Sequence, residues 1–219
     1  MSRGKYKGQQ GRELPDHFPT VAAHVLRYCE PRQGIWMDLG CGAGGLGLEL
    51  ARLSKSTVLL LDPDVAALRR AVGEARAAGL HQRMFPVVAQ AEHLPLVDDS
   101  VDLVASRGSI FFWEQPPQGL REVQRVLRPG GKAMIGGGVG ETYPEWAREE
   151  WTRWRWNGLR AEGAEAVAHF EHVTSPNTHR QWAQQGGLRD FEVARENQSP
   201  GKDANPRLGI WLRFRKRCR

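Results

Sequence analysis

The chain has 219 residues, 40% hydrophobic and 26% charged, which is enough apolar material for one sizeable core in an ordinary globular domain. No aliphatic stretch runs further than Val58 to Leu61, which excludes a membrane span, and the polar N-terminus MSRGKYKGQQGREL lacks the apolar segment of a secretory signal. Cys29, Cys41 and Cys218 are odd in number and form no CxxC, which argues against a disulfide framework or a zinc site and for a reducing, cytoplasmic setting.

The formal net charge is +6, but the excess sits at the two ends. Arg3, Lys5, Lys7 and Arg12 precede the first acid, and Arg207, Arg213, Arg215, Lys216, Arg217 and Arg219 follow the last one. Between them, 21 basic residues face all 25 acidic ones. Such ends read first as solvated charge that aids solubility, and second as a lure for an anionic partner.

Residues 1–16 are polar and glycine-rich, the composition of a flexible arm, and residues 17–219 read as one domain. Phe18, Val21, Ala22, Val25, Leu26 and Cys29 recur at helical spacing, and Pro31 and Gly34 stop that helix. Ile35 to Leu39 is a short apolar strand, followed by a glycine loop and a helix from about Gly45 to Leu53. A second strand, Thr57 to Leu61, ends at Asp62, and an Ala- and Arg-rich helix spans Asp64 to Ala78 before Gly79. Met84 to Ala89 and Val101 to Ala105 are the third and fourth strands. Leu120, Val123 and Leu127 stripe the next helix, which Pro129 stops and Gly130-Gly131 turns into a fifth strand, Lys132 to Ile135. Continuous apolar strands alternating with helices predict an α/β doubly wound parallel sheet covered on both faces.

Residues 141–182 are rich in tryptophan and read as a helical insertion after strand five. Ala147, Trp151, Trp154 and Gly158 form one stripe for packing on the sheet, whereas Trp146, Trp156, Arg153 and Arg155 fall off it and are candidates for a substrate lid. Phe191 to Arg195 and Gly209 to Phe214 then read as an antiparallel pair at the sheet edge, joined by a polar loop holding Pro200, Gly201 and Pro206. His169, His172 and Glu165 have a spacing that permits metal ligation, but a solvated helix face explains them better, and no metal is expected.

The most informative segment is Asp38-Leu39-Gly40-Cys41-Gly42-Ala43-Gly44-Gly45, between a strand and a helix. Glycines let a ligand approach the backbone, and the helix start offers unpaired N–H groups. Gly40, Gly42 and Gly45 also satisfy the dinucleotide pattern GxGxxG. Asp38 would repel a pyrophosphate but could pair with an ammonium group, and Asp62 at the end of strand two can accept hydrogen bonds from ribose hydroxyls. A ligand with ribose, adenine and an ammonium-bearing tail but no phosphate fits best, which describes S-adenosyl-L-methionine.

At these residues the chain resembles the class I S-adenosylmethionine-dependent methyltransferases, of the type 11-like, small-molecule kind. The likeness runs from about Phe18 to Gly138 and rests on four segments in order: IWMDLGCGAGG at Ile35 to Gly45, LLLDPD around Asp62, QAEHLPL from Gln90, and LREVQRVLRPGG from Leu120 to Gly131. It implies a Rossmann-like, mostly parallel seven-stranded sheet with a reversed C-terminal β-hairpin. By position it implies that Asp38, Gly40, Cys41, Gly42 and Gly44 contact the methionine part of the cofactor, with Ser106 beside them. It further implies that Asp62 holds the ribose, Pro63 packs near the adenine, and Gln90, Ala91 and Glu92 face the adenine edge. Gln90 departs from the aspartate common in relatives, although an amide oxygen still accepts a hydrogen bond. S-adenosyl-L-homocysteine would be the product.

The acceptor is less legible. Residues leaving strand four, Ser106 to Trp113, lack both the Asn/Asp-Pro-Pro-aromatic motif of amino methyltransferases and the Pro-Cys motif of cytosine-C5 enzymes. Arg107 could clamp a carboxylate or phosphate, or pair with Glu114 or Asp102. Phe111, Phe112 and Trp113 could wall an acceptor pocket or belong to the core. His17 and His93 are the candidate general bases. The favoured expectation is methyl transfer to a small-molecule acceptor. The alternatives are an RNA or protein acceptor recruited by the basic ends, and a binding module without turnover. Oligomeric state is not legible.

Overall fold

A computed structural model describes residues 13–196 and 208–218. Helix α1 spans Phe18–Cys29; Pro19 suits its first turn, and Glu30, in a left-handed conformation at φ 42°, ends it with an N–H bond to Leu26 O. Strand β1 is Ile35–Leu39, helix α2 Gly45–Arg52 and strand β2 Thr57–Asp62. Helix α3, Val65–Ala77, is capped by the Asp64 carboxylate, which accepts from Ala66 N. Strands β3 (Met84–Val88) and β4 (Val101–Arg107) follow, then one 3₁₀ turn at Ser109–Phe112 and helix α4 at Pro116–Val126. Strand β5 spans Leu127–Gly137, and the insertion folds as α5 (Glu145–Glu162), α6 (Ala164–Val173) and α7 (Pro176–Gln185). Strands β6 (Phe191–Arg195) and β7 (Ile210–Arg215) close the described chain.

The seven strands form one sheet in the order β3-β2-β1-β4-β5-β7-β6. Strands β1 to β5 run parallel, and β7 lies antiparallel to both β5 and β6. Successive residues of β1 alternate between two dry cores: Trp36 packs with α1, α2 and α3, while Met37 packs with α4 and α7, and both are buried. Because β2 and β4 flank β1 on opposite sides, the loops after β1 and β4 diverge there. This is the switch point where open α/β sheets bind ligands.

Five expectations need correction. Leu127 is not in the helix but is the first residue of β5, extended at φ −62° and ψ 137° and paired with Val101, because its buried side chain belongs to the sheet core. Strand β5 therefore begins before Pro129-Gly130-Gly131, with a register irregularity there, instead of at Lys132. On α5 the buried stripe is Ala147, Arg148, Thr152, Trp156 and Leu159, while Trp154 is 44% exposed and Gly158 faces solvent. Trp156 is thus no lid residue: its ring meets Phe170 of α6 edge-on at 5.7 Å. Finally, the last residues of the expected arm are docked, since Leu14 packs on a small cluster of Val139, Tyr143 and Ala147, and Tyr143 Oη donates to Pro15 O at 2.8 Å. Residues 1–12 and the loop with Pro200, Gly201 and Pro206 lie outside the described residues.

Candidate active site

The glycine loop turns at the carboxyl end of β1 and is tied to β2 by backbone bonds. Gly40 N and Cys41 N both donate to Leu61 O, at 2.8 and 2.9 Å, and Gly44 N donates to Cys41 O at 2.8 Å. Gly40, Gly42 and Gly44 all have positive φ, between 53° and 79°. Their surroundings differ. A Cβ on Gly40 would lie 2.1 Å from Ser109 Cβ, and one on Gly44 2.8 Å from Ala71 Cβ, whereas Gly42 has nothing within 4 Å. Gly42 is therefore the point at which a ligand can lie against the backbone, and the fit of this loop to a nucleoside-bearing cofactor rests there.

Asp62 holds that point in place. Its Oδ2 accepts from Gly42 N at 2.8 Å and its Oδ1 from Asp64 N at 2.9 Å. Each carboxylate oxygen still has a second lone pair for a hydroxyl donor. Asp38 sits behind the loop, 2% exposed, with Oδ2 accepting from Gly47 N in the first turn of α2 at 2.7 Å. Burial pushes its carboxyl up to about 7, against the pull of the Gly47 N–H; the nearby Asp62 charge pushes the same way as burial. Burial also raises the Cys41 thiol, so this cysteine is a packed neutral side chain.

Further along the same edge, Ala89 N donates to Asp62 O at 3.3 Å, and this brings Gln90 and Ala91 beside Asp62 and Pro63. Gln90 and Pro63 are exposed there, while Ala91 is buried. Glu92 departs from expectation. It is 7% exposed and its Oε1 accepts from Gln115 N at 3.0 Å, so the carboxylate fixes the approach to α4 instead of facing an adenine. Ser106 is also fully buried. Its hydroxyl lies 2.6 Å from Ser109 Oγ, which in turn donates to Leu39 O and accepts from Trp113 Nε1. This hydroxyl chain ties β4 to β1 beneath Gly40 and assigns Trp113 to support of the loop. Phe111 packs into the core, and Phe112 is 81% exposed.

The second half of the edge gathers His17, Phe18, Arg107 and Trp151. The Phe18 ring lies on the start of α2, where a Cβ on Gly45 would come 2.3 Å from its Cε2. The His17 ring stacks 4.5 Å from Phe18 and 5.3 Å from Trp151, measured between ring centroids. The Arg107 guanidinium stands 5.7 and 5.9 Å from the centroids of the same two rings, and its Nε donates to Gly138 O at 2.9 Å. Asp102, considered as a partner of Arg107, is at the other end of β4, bonded to Arg128 and to Ile35 N. His93 is exposed and acts on Glu122 of α4, well away from this group.

Glu196, just past β6, is a site residue that the sequence does not advertise. Its carboxylate accepts from Val139 N, Gly140 N, Arg148 Nη1 and Trp211 Nε1, at 2.7 to 3.1 Å. Burial pushes it up, but the neighbouring His24 ring, then Trp211, Arg148 and the Gly140 amide, outweigh burial and hold it down at about 2. The loop it grips offers Gly138 O to Arg107 and Val139 O to Thr20 Oγ1, next to His17. A charged residue following a strand reads as solvated, so only its partners reveal this role. Among the described residues no three His, Cys, Asp or Glu side chains gather as a metal site, and His169, His172 and Glu165 do not converge.

Residues 37–135 match the family model described as a methyltransferase domain. Among curated relatives, the methyltransferase GfsG of Streptomyces halstedii is 37% identical over 99 residues, covering 45% of this chain and 36% of that protein. The ubiquinone/menaquinone biosynthesis C-methyltransferase UbiE of Geobacter sulfurreducens is 34% identical over 116 residues, 52% of this chain and 44% of its own length. The chain thus spans less than half the length of these relatives. A crystal structure from Methanococcus maripaludis, provisionally described as an S-adenosyl-L-methionine-dependent methyltransferase, superposes with a TM-score of 0.72 at 25% identity, covering 93% of this chain and 86% of that one. Sheet order and glycine loop agree with these matches: residues 37–135 are similar to the methyltransferase-domain family, and the fold is that of the Methanococcus maripaludis structure.

Proposed function

We propose that this protein transfers the methyl group of S-adenosyl-L-methionine to a small-molecule acceptor. The observation that carries the reading is Gly42: its left-handed backbone faces open space, and its N–H is held by Asp62 at the switch point of the sheet. In this reading Gly40, Gly42 and Gly44 shape the cradle for the methionine part, and the Asp38 charge favours its ammonium group through the loop. Asp62 takes the ribose hydroxyls, and Gln90, Ala91 and Pro63 border the adenine. The bound cofactor supplies an electrophilic methyl on a sulfonium centre. The protein's own work is to hold the acceptor in line and keep water out, which falls to His17, Phe18, Arg107 and Trp151 on the opposite side of the loop.

The pairing of Arg213, Lys216 and Arg217 among the described residues favours a small acceptor over a nucleic acid. Lys216 pairs with Asp99, Arg217 with Asp190, and the buried Arg213 stands over the Tyr28 ring beside Glu141 and Glu192. Their charge is largely neutralised within the fold. Buried Cys29 and Cys41 and exposed Cys218 are all free thiols, which suits a reducing cytoplasm. No described helix is long and apolar enough to cross a membrane.

Calorimetric titration with S-adenosyl-L-methionine, S-adenosyl-L-homocysteine and NAD, repeated on Asp62→Ala, tests the reading. Binding of the first two at about micromolar Kd, none of NAD, and at least about a tenfold loss in the variant are expected. Tight NAD binding, or none of either sulfur nucleoside, overturns it.

A further inference from the structure

We propose that the protein carries a second ligand site, remote from the glycine loop, which binds a doubly charged oxyanion: inorganic phosphate or the phosphoryl group of a small phosphomonoester. This site does not depend on the methyltransferase reading, which the cofactor titration above tests separately.

Three segments meet at the edge of the sheet where the parallel strands begin. They are the end of α4 at Gln124, the turn that leads from α7 into β6, and the end of β7. Between them lies a cavity of about 110 Å³. The glycine loop follows the carboxyl end of β1, so it opens at the opposite edge. The cavity has an apolar floor, since Leu188 and Phe214 line it and both are buried. Gly187, at φ 78° on the turn, would have nothing within 4 Å of a Cβ, which leaves that wall open to a ligand.

Three guanidinium groups line the same cavity, those of Arg189, Arg215 and Arg217, and Asp190 is the one acid among its lining residues. Asp190 is committed to Arg217: its Oδ1 accepts from Nη2 at 2.6 Å and its Oδ2 accepts from Nε. Arg215 Nη2 has only the weakly accepting Cys218 Sγ, at 4.0 Å. Among the described residues, no carboxylate pairs with Arg189 or Arg215, and the Gln124 amide makes no side-chain hydrogen bond. The cavity therefore holds two uncompensated positive charges and a free amide donor.

Like charges gathered on one concave surface repel each other, and an apolar floor strengthens that repulsion. A phosphoryl group carries a charge of about −1.5 to −2 at pH 7, which matches the two free cations, and its oxygens accept paired guanidinium N–H bonds. A monocarboxylate would balance only half of that charge. A nucleic-acid backbone needs an extended run of free cations, whereas the adjoining Lys216 and Arg217 are already paired with Asp99 and Asp190. The volume also falls below the roughly 300–1,000 Å³ of sites for drug-sized ligands, so the cavity suits the anionic group itself.

The test is calorimetric titration of the full chain at low ionic strength with inorganic phosphate, glycerol 3-phosphate and acetate. At least one of the two phosphates is expected to bind at about millimolar Kd or tighter, with acetate at least about tenfold weaker. Tighter binding of glycerol 3-phosphate identifies a phosphomonoester as the source, and tighter binding of phosphate identifies the free ion. Arg189→Met and Arg215→Met are each expected to weaken binding about fivefold or more. Arg69→Met, at an exposed arginine of α3, is expected to change nothing. Asp190→Asn releases Arg217 and should tighten binding about twofold or more, a gain that a damaged fold could not produce. The inference is overturned if neither phosphate binds, if Arg69→Met weakens binding as much as the cavity variants, or if Asp190→Asn weakens it. Binding of a single-stranded RNA oligonucleotide through Arg189 and Arg215, without binding of either phosphate, also overturns it.

Discussion

Glu196 and Arg148 form an ion pair inside the protein, with Oε2 accepting from Nη1 at 2.7 Å while the side chains are 0% and 2% exposed. The pair joins the end of β6 to the inserted helix α5, and so fixes the tryptophan-bearing cap to the sheet. Glu196→Gln keeps the size but leaves the Arg148 charge buried and unbalanced, at a cost of about 3 kcal/mol. Because the folded-state pKa is about 2, below the ordinary 4.5, the stabilisation is complete above pH 4.5 and is lost as pH falls towards 2. Urea unfolding should show a wide gap between wild type and Glu196→Gln at pH 6 that closes in acid. A gap of constant size would disprove the charge argument.

Asp38 behaves in the opposite sense. Its carboxyl is raised from 3.8 to about 7, so between those values the unfolded chain ionises while the folded one stays protonated, and stability falls as pH rises. Asp38→Asn should flatten that slope. A cationic ligand in front of the loop favours the ionised form, so S-adenosyl-L-methionine affinity should rise from pH 6 to pH 8 with release of a fraction of a proton. Titration in buffers of different ionisation enthalpy measures that fraction directly.

Gly40 and Gly42 separate folding from binding. At Gly40 an alanine Cβ would strike Ser109 Cβ at 2.1 Å with φ +70°, so Gly40→Ala should cost roughly 2–4 kcal/mol of stability. At Gly42 only the left-handed backbone resists, at about 1 kcal/mol, since the space is open. Gly42→Ala should therefore fold and yet bind S-adenosyl-L-homocysteine at least about tenfold more weakly. Thermal melts paired with titrations decide between the two effects.

The tryptophans of α5 divide in the same way. Trp156 is 4% exposed and packed on Phe170, so Trp156→Ala should cost about 3–5 kcal/mol. Trp154 is 44% exposed, although its ring stacks 5.1 Å from Trp151, and Trp154→Ala should cost far less. Equal losses in chemical denaturation would show that the assignment of buried and exposed faces on α5 is wrong.

Local pattern was sufficient for much of this protein. The apolar stripe from Phe18 to Cys29 delimits α1 correctly, Ile35 to Leu39 is β1, and Phe191 to Arg195 is β6. Asp38, the glycines and Asp62 lie together because a strand, a tight turn and a helix N-terminus are all encoded within 25 residues of sequence. Leu127 and the face of α5 escaped that logic. In both cases a tertiary partner, Val101 for the one and Glu196 for the other, decided what a helical stripe left open.

The sequence by itself determined the α/β sheet and the glycine loop, because hydrophobic period and glycine spacing act over a few residues. Only the tertiary structure could decide the rest: that His17 and not His93 stands beside Arg107, that Glu92 and Ser106 serve the scaffold, and that Glu196 anchors the cap. Glu196 meets Arg148, Gly140 and Val139 from 48 to 57 residues away. Burial of a charge is worthwhile only when such distant donors converge, and that convergence is a property of the folded chain.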